Sequence, residues 1–155
     1  MGKKNSKLFV DGDACPVVNE IVLLAKKYDV PVIFVSSYAH VRKESFPSFV
    51  KHIFVDQDKE AVDLKIANEI SKYDMAVTED LGLTSLLLAK GVQVLTSRGK
   101  WITAQEIDYL LDSRYQSAKK RRSGGKTKGP KKLTDQDRLL FTEQLENFLS
   151  NLQEF

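Results

Sequence analysis

Leu8-Phe9-Val10-Asp11-Gly12-Asp13-Ala14-Cys15-Pro16-Val17-Val18 is an apolar run that stops on an acid, turns through glycine and a second acid, and opens a helix at a proline. A short buried strand followed at once by a helix is the unit from which α/β folds are built. Pro16 sits at a favoured first-turn position. After it, Val17, Val18, Ile21, Val22, Leu24, Ala25 and Tyr28 recur at helical spacing.

The same alternation continues along the chain. Val30 to Val35 is a nearly continuous apolar run rich in β-branched residues, as suits a parallel strand covered on both faces. Ile53 to Val55 is a third strand, followed by a helix marked by Ala61, Leu64, Ala67 and Ile70. Met75 to Thr78 is a fourth, followed by Leu83, Leu86 and Leu87 and closed by Gly91. Val92 to Leu95 is a fifth. Thr103 and Glu106 then form a capping box for a helix that buries Ile107, Leu110, Leu111 and Tyr115. Three glycines and a proline interrupt Ser123 to Pro130. Thr134, with Asp137 three residues on, caps a last helix whose stripe is Phe141, Leu145, Phe148, Leu149 and Leu152.

Right-handed βαβ crossovers make this a three-layer α/β fold. The expectation is a five-stranded parallel sheet in the order 3-2-1-4-5, with helices on both faces and an added C-terminal helix. Residues 1–118 are expected to form the α/β domain, 119–133 a basic glycine-rich linker, and 134–155 a helix packed on the same domain.

The formal charge of the 155 residues is only +3, but it is unevenly spread. Arg114 to Lys132 carries nine of the 24 basic residues and no acid, which leaves 15 basic against 21 acidic elsewhere, a net of −6. Cys15 is the single cysteine, which excludes an intrachain disulfide. No apolar run approaches the ~20 residues of a membrane span, and no secretory h-region is present, so a cytoplasmic location and no membrane partner are expected.

The acids stand where chemistry is expected. In an open α/β sheet, ligands bind at the carboxyl ends of the strands. Asp11 and Asp80 end the first and fourth strands, which the predicted order makes neighbours. Asp63 lies in the first turn of a helix, Glu60 one turn earlier, and Asp13 just beyond the first strand. Carboxylates gathered there repel one another unless a cation sits among them. Hard Mg²⁺ or Mn²⁺ suits such oxygen ligands. Asp11, Asp63 and Asp80, with Glu60, are therefore candidate metal ligands. Asp11, Asp13, Asp63 and Asp80 are candidate catalytic residues, with Asp13 or Asp63 as general base. Locally, Asp80 also suits a helix cap and Asp63 a helix dipole.

Val10-Asp11-Gly12-Asp13-Ala14-Cys15-Pro16, Glu60-Ala61-Val62-Asp63, Val77-Thr78-Glu79-Asp80-Leu81-Gly82-Leu83, Arg98-Gly99 and Gly125-Lys126-Thr127-Lys128-Gly129-Pro130 with Asp137-Arg138 together resemble the bacterial YaiI/YqxD family. The likeness runs from about Leu8 to Leu149. It implies a PIN-like or NYN-like fold, a group of metal-dependent ribonucleases and their relatives, with Asp11, Asp63 and Asp80 at the metal-binding positions. This chain departs from the family at Glu60, where Asp is usual, and at Ser37, where Asn is frequent.

Lys119, Lys120, Arg121, Arg122, Lys126 and Lys128 form a cationic strap suited to phosphate, and Arg98 after the fifth strand is a further phosphate candidate. RNA is the expected partner; the oligomeric state is left open. Gly124-Gly125-Lys126-Thr127 fails the spacing of a phosphate loop, because Lys120 stands where the first glycine belongs. The leading expectation is a metal-dependent phosphodiesterase acting on RNA, and the alternative is a non-catalytic RNA-binding module. A small-molecule phosphatase of the Asp-x-Asp type is disfavoured, because Cys15 stands where that class has Thr. A nucleophilic Cys15 is disfavoured too, since neither His40 nor His52 has a matching context. Trp101 is expected to be a partly buried anchor.

Overall fold

The computed structural model describes residues 6–13, 15–37, 46–56, 60–125 and 132–153. Ten elements alternate along it: β1 (Leu8–Asp11), α1 (Val18–Tyr28), β2 (Val32–Ser37), β3 (Val50–Val55), α2 (Ala61–Glu69), β4 (Met75–Val77), α3 (Leu81–Ala89), β5 (Gln93–Leu95), α4 (Ala104–Arg122) and α5 (Asp135–Gln153). The sheet order is β3-β2-β1-β4-β5, with every pairing parallel. This is the order that strand–helix alternation implies. It puts β1 at the centre, with Val10 opposite Phe34 on one side and Val77 on the other.

Two cores lie on opposite faces of the sheet. Leu8, Val10, Val32, Phe34 and Val77 pack with Ile21 and Leu24 of α1 and with Phe141, Leu145 and Leu149 of α5. Phe9, Val35, Ala76 and Val94 pack with Val62 and Ile66 of α2 and with Leu83 and Leu87 of α3. The period-two alternation of Leu8, Phe9 and Val10 between these clusters follows from strand geometry. The helix α4 packs outside α3.

Two glycines set close approaches. A Cβ on Gly12 would fall within the ring of Phe34, so the turn after β1 passes too near that ring for any side chain. Gly99 has φ +83°, and a Cβ there would lie 2.6 Å from the amide of Phe141. The turn between β5 and Trp101 is thereby seated directly on α5.

The structure shifts several expected boundaries. β2 begins at Val32 rather than Val30, because Asp29 takes the left-handed conformation (φ 56°) that ends α1. β3 begins earlier, at Val50. The helix α4 runs through Arg122, so Lys119 to Arg122 are helical rather than part of a linker from residue 119. Lysine and arginine are good helix formers, and cations are favoured in the last turn by the helix dipole. Tyr115 is not in a core: it is 54% exposed, while Leu110 and Leu111 are half-buried and only Ile107 is buried. Trp101 is partly buried, donating to Gln144 at 3.0 Å beside Phe148. Lys126, Lys128 and His40 lie outside the described residues.

Candidate functional site

β1 and β4 lie side by side, so their carboxyl ends deliver Asp11 and Asp80 to one crevice although 69 positions separate them. Thr78, buried between them, orders both. Its hydroxyl donates to Oδ2 of Asp11 at 2.8 Å and accepts from the amide of Asp80 at 3.0 Å. Asp80 caps α3, its Oδ1 accepting from the amide of Leu83 at 2.8 Å. The local capping reading of Asp80 is therefore correct, and it occupies one oxygen only. Asp63 stands in the first turn of α2. Among the described residues nothing donates a hydrogen bond to its carboxylate.

The electrostatics tie these acids together. Asp11 has its pKa raised to about 6, first by burial, with the Thr78 hydrogen bond opposing and the charges of Asp13 and Asp80 adding to the rise. Asp63 is also raised to about 6, by burial and then by the charges of Asp80, Asp11 and Glu60. Such mutual repulsion requires a shared, poorly solvated space. Among the described residues no lysine or arginine forms an ion pair with Asp11, Asp63 or Asp80. The crevice is thus a concentration of uncompensated negative charge.

The other acids hold structure. Asp13 gives Oδ1 to the amide of Ser37 at 2.9 Å, tying the β1 turn to the end of β2. Glu79 accepts from the amide of Ser97 at 2.7 Å, tying β4 to the turn after β5. Asp74, at the opposite end of β4, is buried and accepts from the amides of Lys7 and Ser71 and from the Ser71 hydroxyl. Its fully partnered carboxylate contrasts with that of Asp63. Glu60 immediately precedes α2, makes no side-chain cap, and acts on Asp63 by its charge.

A divalent cation fits the donor chemistry of Asp11, Asp63 and Asp80: hard oxygens, two of the acids with raised pKa values, and no ion-paired lysine or arginine among the described residues. Among the described residues, however, no three acids, histidines or cysteines already stand at ligand spacing. The carboxylates share a field without forming a closed cage.

The phosphate candidates separate into two groups. Arg98 is taken up by an ion pair with Asp137 at 2.6 Å, which joins the β5 turn to the first turn of α5. It serves the fold there, and a phosphate reaching Arg98 would share it with Asp137. Lys119, Lys120, Arg121 and Arg122 are exposed at the end of α4. His52 meets the buried Ser36 hydroxyl at 2.7 Å and stacks near Phe54. Ser36 is fully buried, which excludes this pair as an accessible nucleophile and base.

The residue that the sequence argument missed is Thr78. It read only as the end of a strand. A hydroxyl flanked by acids at a strand's carboxyl end was the available signal.

The family described as "Uncharacterized BCR, YaiI/YqxD family" matches residues 9–151. A UPF0178 protein of Bacillus pumilus is 44% identical over 153 residues, covering 99% of this chain and 92% of that protein. Another, of Halalkalibacterium halodurans, is 51% identical over 145 residues, covering 94% of this chain and 91% of that protein. A crystal structure of Rae1 (YacP) from Bacillus subtilis matches with a TM-score of 0.46 at 12% identity, over 96% of this chain and 95% of that one. At that level the likeness says nothing of activity.

Proposed function

The chain belongs to the YaiI/YqxD family, and from that premise we propose that it is a metal-dependent phosphodiesterase of ribonuclease type, acting on RNA. The observation that carries this reading is the trio Asp11, Asp63 and Asp80, mutually repelling at the carboxyl edge of the sheet with no cationic partner among the described residues. A fold holds such charges together at a cost to stability, and the arrangement makes sense when a bound cation offsets that cost.

Mg²⁺ or Mn²⁺ bound there supplies a Lewis acid for the phosphodiester and a lowered pKa for a coordinated water. Asp11 is the best-fixed ligand, because Thr78 orients it and the strand positions it. Asp80 has one oxygen committed to its cap and the other available. Asp63 is on a helix turn and held by no hydrogen bond from a described residue, so it is the acid suited to shift between holding the cation and accepting a proton. Glu60 contributes charge at the rim, and Asp13 positions the turn. The exposed cations of α4 offset the repulsion between an acidic crevice and a polyanion.

A second reading, a non-catalytic RNA-binding module on the same fold, is favoured by the lack of a preformed three-ligand cluster among the described residues. Cleavage of labelled single-stranded RNA in Mn²⁺ or Mg²⁺ separates the two. The expected result is cleavage by the wild type and loss in Asp11→Asn and Asp80→Asn. RNA binding without cleavage in either metal selects the second reading.

A further inference from the structure

The helix α4 is 19 residues long and α3, on which it packs, is nine. At 1.5 Å per residue those are lengths of about 28 and 13 Å, so roughly half of α4 has no such neighbour to lie along. The exposure pattern marks the division. Ile107 is buried and Leu110 and Leu111 are half-buried, but every residue from Asp112 to Gln116 and from Lys119 to Gly124 is exposed. A helix that is polar all round is held by its ends and its charges, not by burial.

Two tyrosines stand on this bare stretch or at its edge, Tyr109 at 72% and Tyr115 at 54% exposure. Helix propensity does not favour them there over alanine or lysine, and water does not favour their rings. Tyr115, Lys119 and Arg122 follow at i, i+4 and i+7, so they share one side. Tyr109, Gln116 and Lys120 lie along a second line, at i, i+7 and i+11, about a third of the way round the helix from the first. Each line runs from an aromatic ring to a cation toward the helix end.

We propose that the exposed side of α4 from Tyr109 to Arg122 grips single-stranded RNA, with Tyr115 and Tyr109 stacking on bases and Lys119, Lys120, Arg121 and Arg122 neutralising phosphates. The choice of RNA rests on the function proposed above; the grip itself rests on the exposure and spacing along α4. A ring precedes the cations on each line, by about one turn from Tyr115 to Lys119 and about three from Tyr109 to Lys120, so base faces and phosphates of one strand are met by different parts of the helix. A duplex hides its base faces, so ring stacking selects an unpaired strand. Asp112 and Asp108, one and two turns before Tyr115 on the same side, repel phosphate and steer the backbone of the strand toward the basic helix end. Those acids also oppose seating on an anionic membrane, which the basic end alone would allow.

The test is binding of a fluorescent single-stranded RNA to the full chain in EDTA, where no divalent metal supports cleavage, at several salt concentrations. The substituted side chains are exposed, and matching thermal unfolding verifies that each variant is folded. Replacing Tyr109 and Tyr115 together by alanine is expected to weaken binding about tenfold or more at an unchanged salt slope. Replacing Lys119, Lys120, Arg121 and Arg122 by glutamine is expected to flatten the logarithmic salt slope by roughly three. A duplex of the same sequence should be insensitive to the tyrosine change. Wild-type binding that neither set of substitutions alters overturns the grip and leaves the RNA reading standing. A tyrosine effect equal on duplex, or binding to phosphatidylserine vesicles but not RNA, also overturns it. No RNA binding by the wild type overturns the grip and the RNA reading together.

Discussion

Thr78 donates its hydroxyl proton to Oδ2 of Asp11 across 2.8 Å, joining the ends of adjacent strands. The bond opposes the burial and neighbouring charges that raise the pKa of Asp11 to about 6, and a backbone hydrogen bond from Asp13 acts in the same sense. The Thr78 hydroxyl also receives the amide of Asp80, so one side chain sets the attitude of two acids.

Thr78→Val keeps the shape and removes both bonds. A hydrogen bond to a buried charged group is worth about 1.5–3 kcal/mol. Urea unfolding at pH 7 should show a loss of that order, and Thr78→Ser should recover most of it. The same valine variant should bind Mn²⁺ more weakly, because Asp11 then stays protonated to a higher pH. Metal affinity unchanged in the valine variant would mean that Asp11 is not a ligand.

The acids also set a pH dependence whose sign is opposite to ordinary acid denaturation. Asp11 is raised from 3.8 to about 6, so the folded state holds its proton longer than the unfolded chain. Its contribution to stability is complete below pH 3.8 and is lost as the pH rises through about 6. Asp63 acts in the same direction. Without metal, Asp11→Asn should therefore be more stable than the wild type at pH 8, by about 1–3 kcal/mol. The advantage should vanish near pH 4. Denaturant midpoints at the two pH values measure this directly, and a variant less stable than wild type at pH 8 would contradict the burden assigned to the crevice.

Metal binding should compete with those protons. Between pH 7.5 and 5.5 the affinity for Mn²⁺ should fall several-fold to more than tenfold, and protons should be released on binding at pH 6. Titration calorimetry in two buffers of different ionisation enthalpy reads the release. Identical heats in both buffers would argue for a site elsewhere.

Gly12→Ala should destabilise the fold by about 1–3 kcal/mol, because the new methyl meets the ring of Phe34. Adding Phe34→Leu should recover part of the loss. If the single variant unfolds at the wild-type midpoint, the close approach of the β1 turn is wrong.

The strand order was legible because four of the five apolar runs are followed by a helical stripe, and that near-alternation leaves few topologies. The positions of Asp11, Asp63 and Asp80 followed from that order. What sequence did not reveal depends on lengths and partners. Tyr115 lies at helical spacing from Leu111 and so read as core, but α3 is too short to cover it. Lys119 to Arg122 read as linker because charge was weighed above helix propensity. The pairing of Arg98 with Asp137 was not legible, because 39 residues and the glycine-rich segment separate them. The order already puts the strand of Thr78 beside β1; what sequence does not show is that its hydroxyl turns to Asp11 and to the amide of Asp80.

The most direct measurement is thermal unfolding at pH 7.5 with rising Mn²⁺, for the wild type and for Asp11→Asn, Asp63→Asn and Asp80→Asn. A site in the crevice predicts a wild-type Tm that climbs with Mn²⁺, by the equivalent of about 2.7 kcal/mol at a hundred times Kd, and three variants that do not follow. A wild-type Tm indifferent to Mn²⁺, or four proteins shifting in parallel, would contradict the claim that these three carboxylates share a cation.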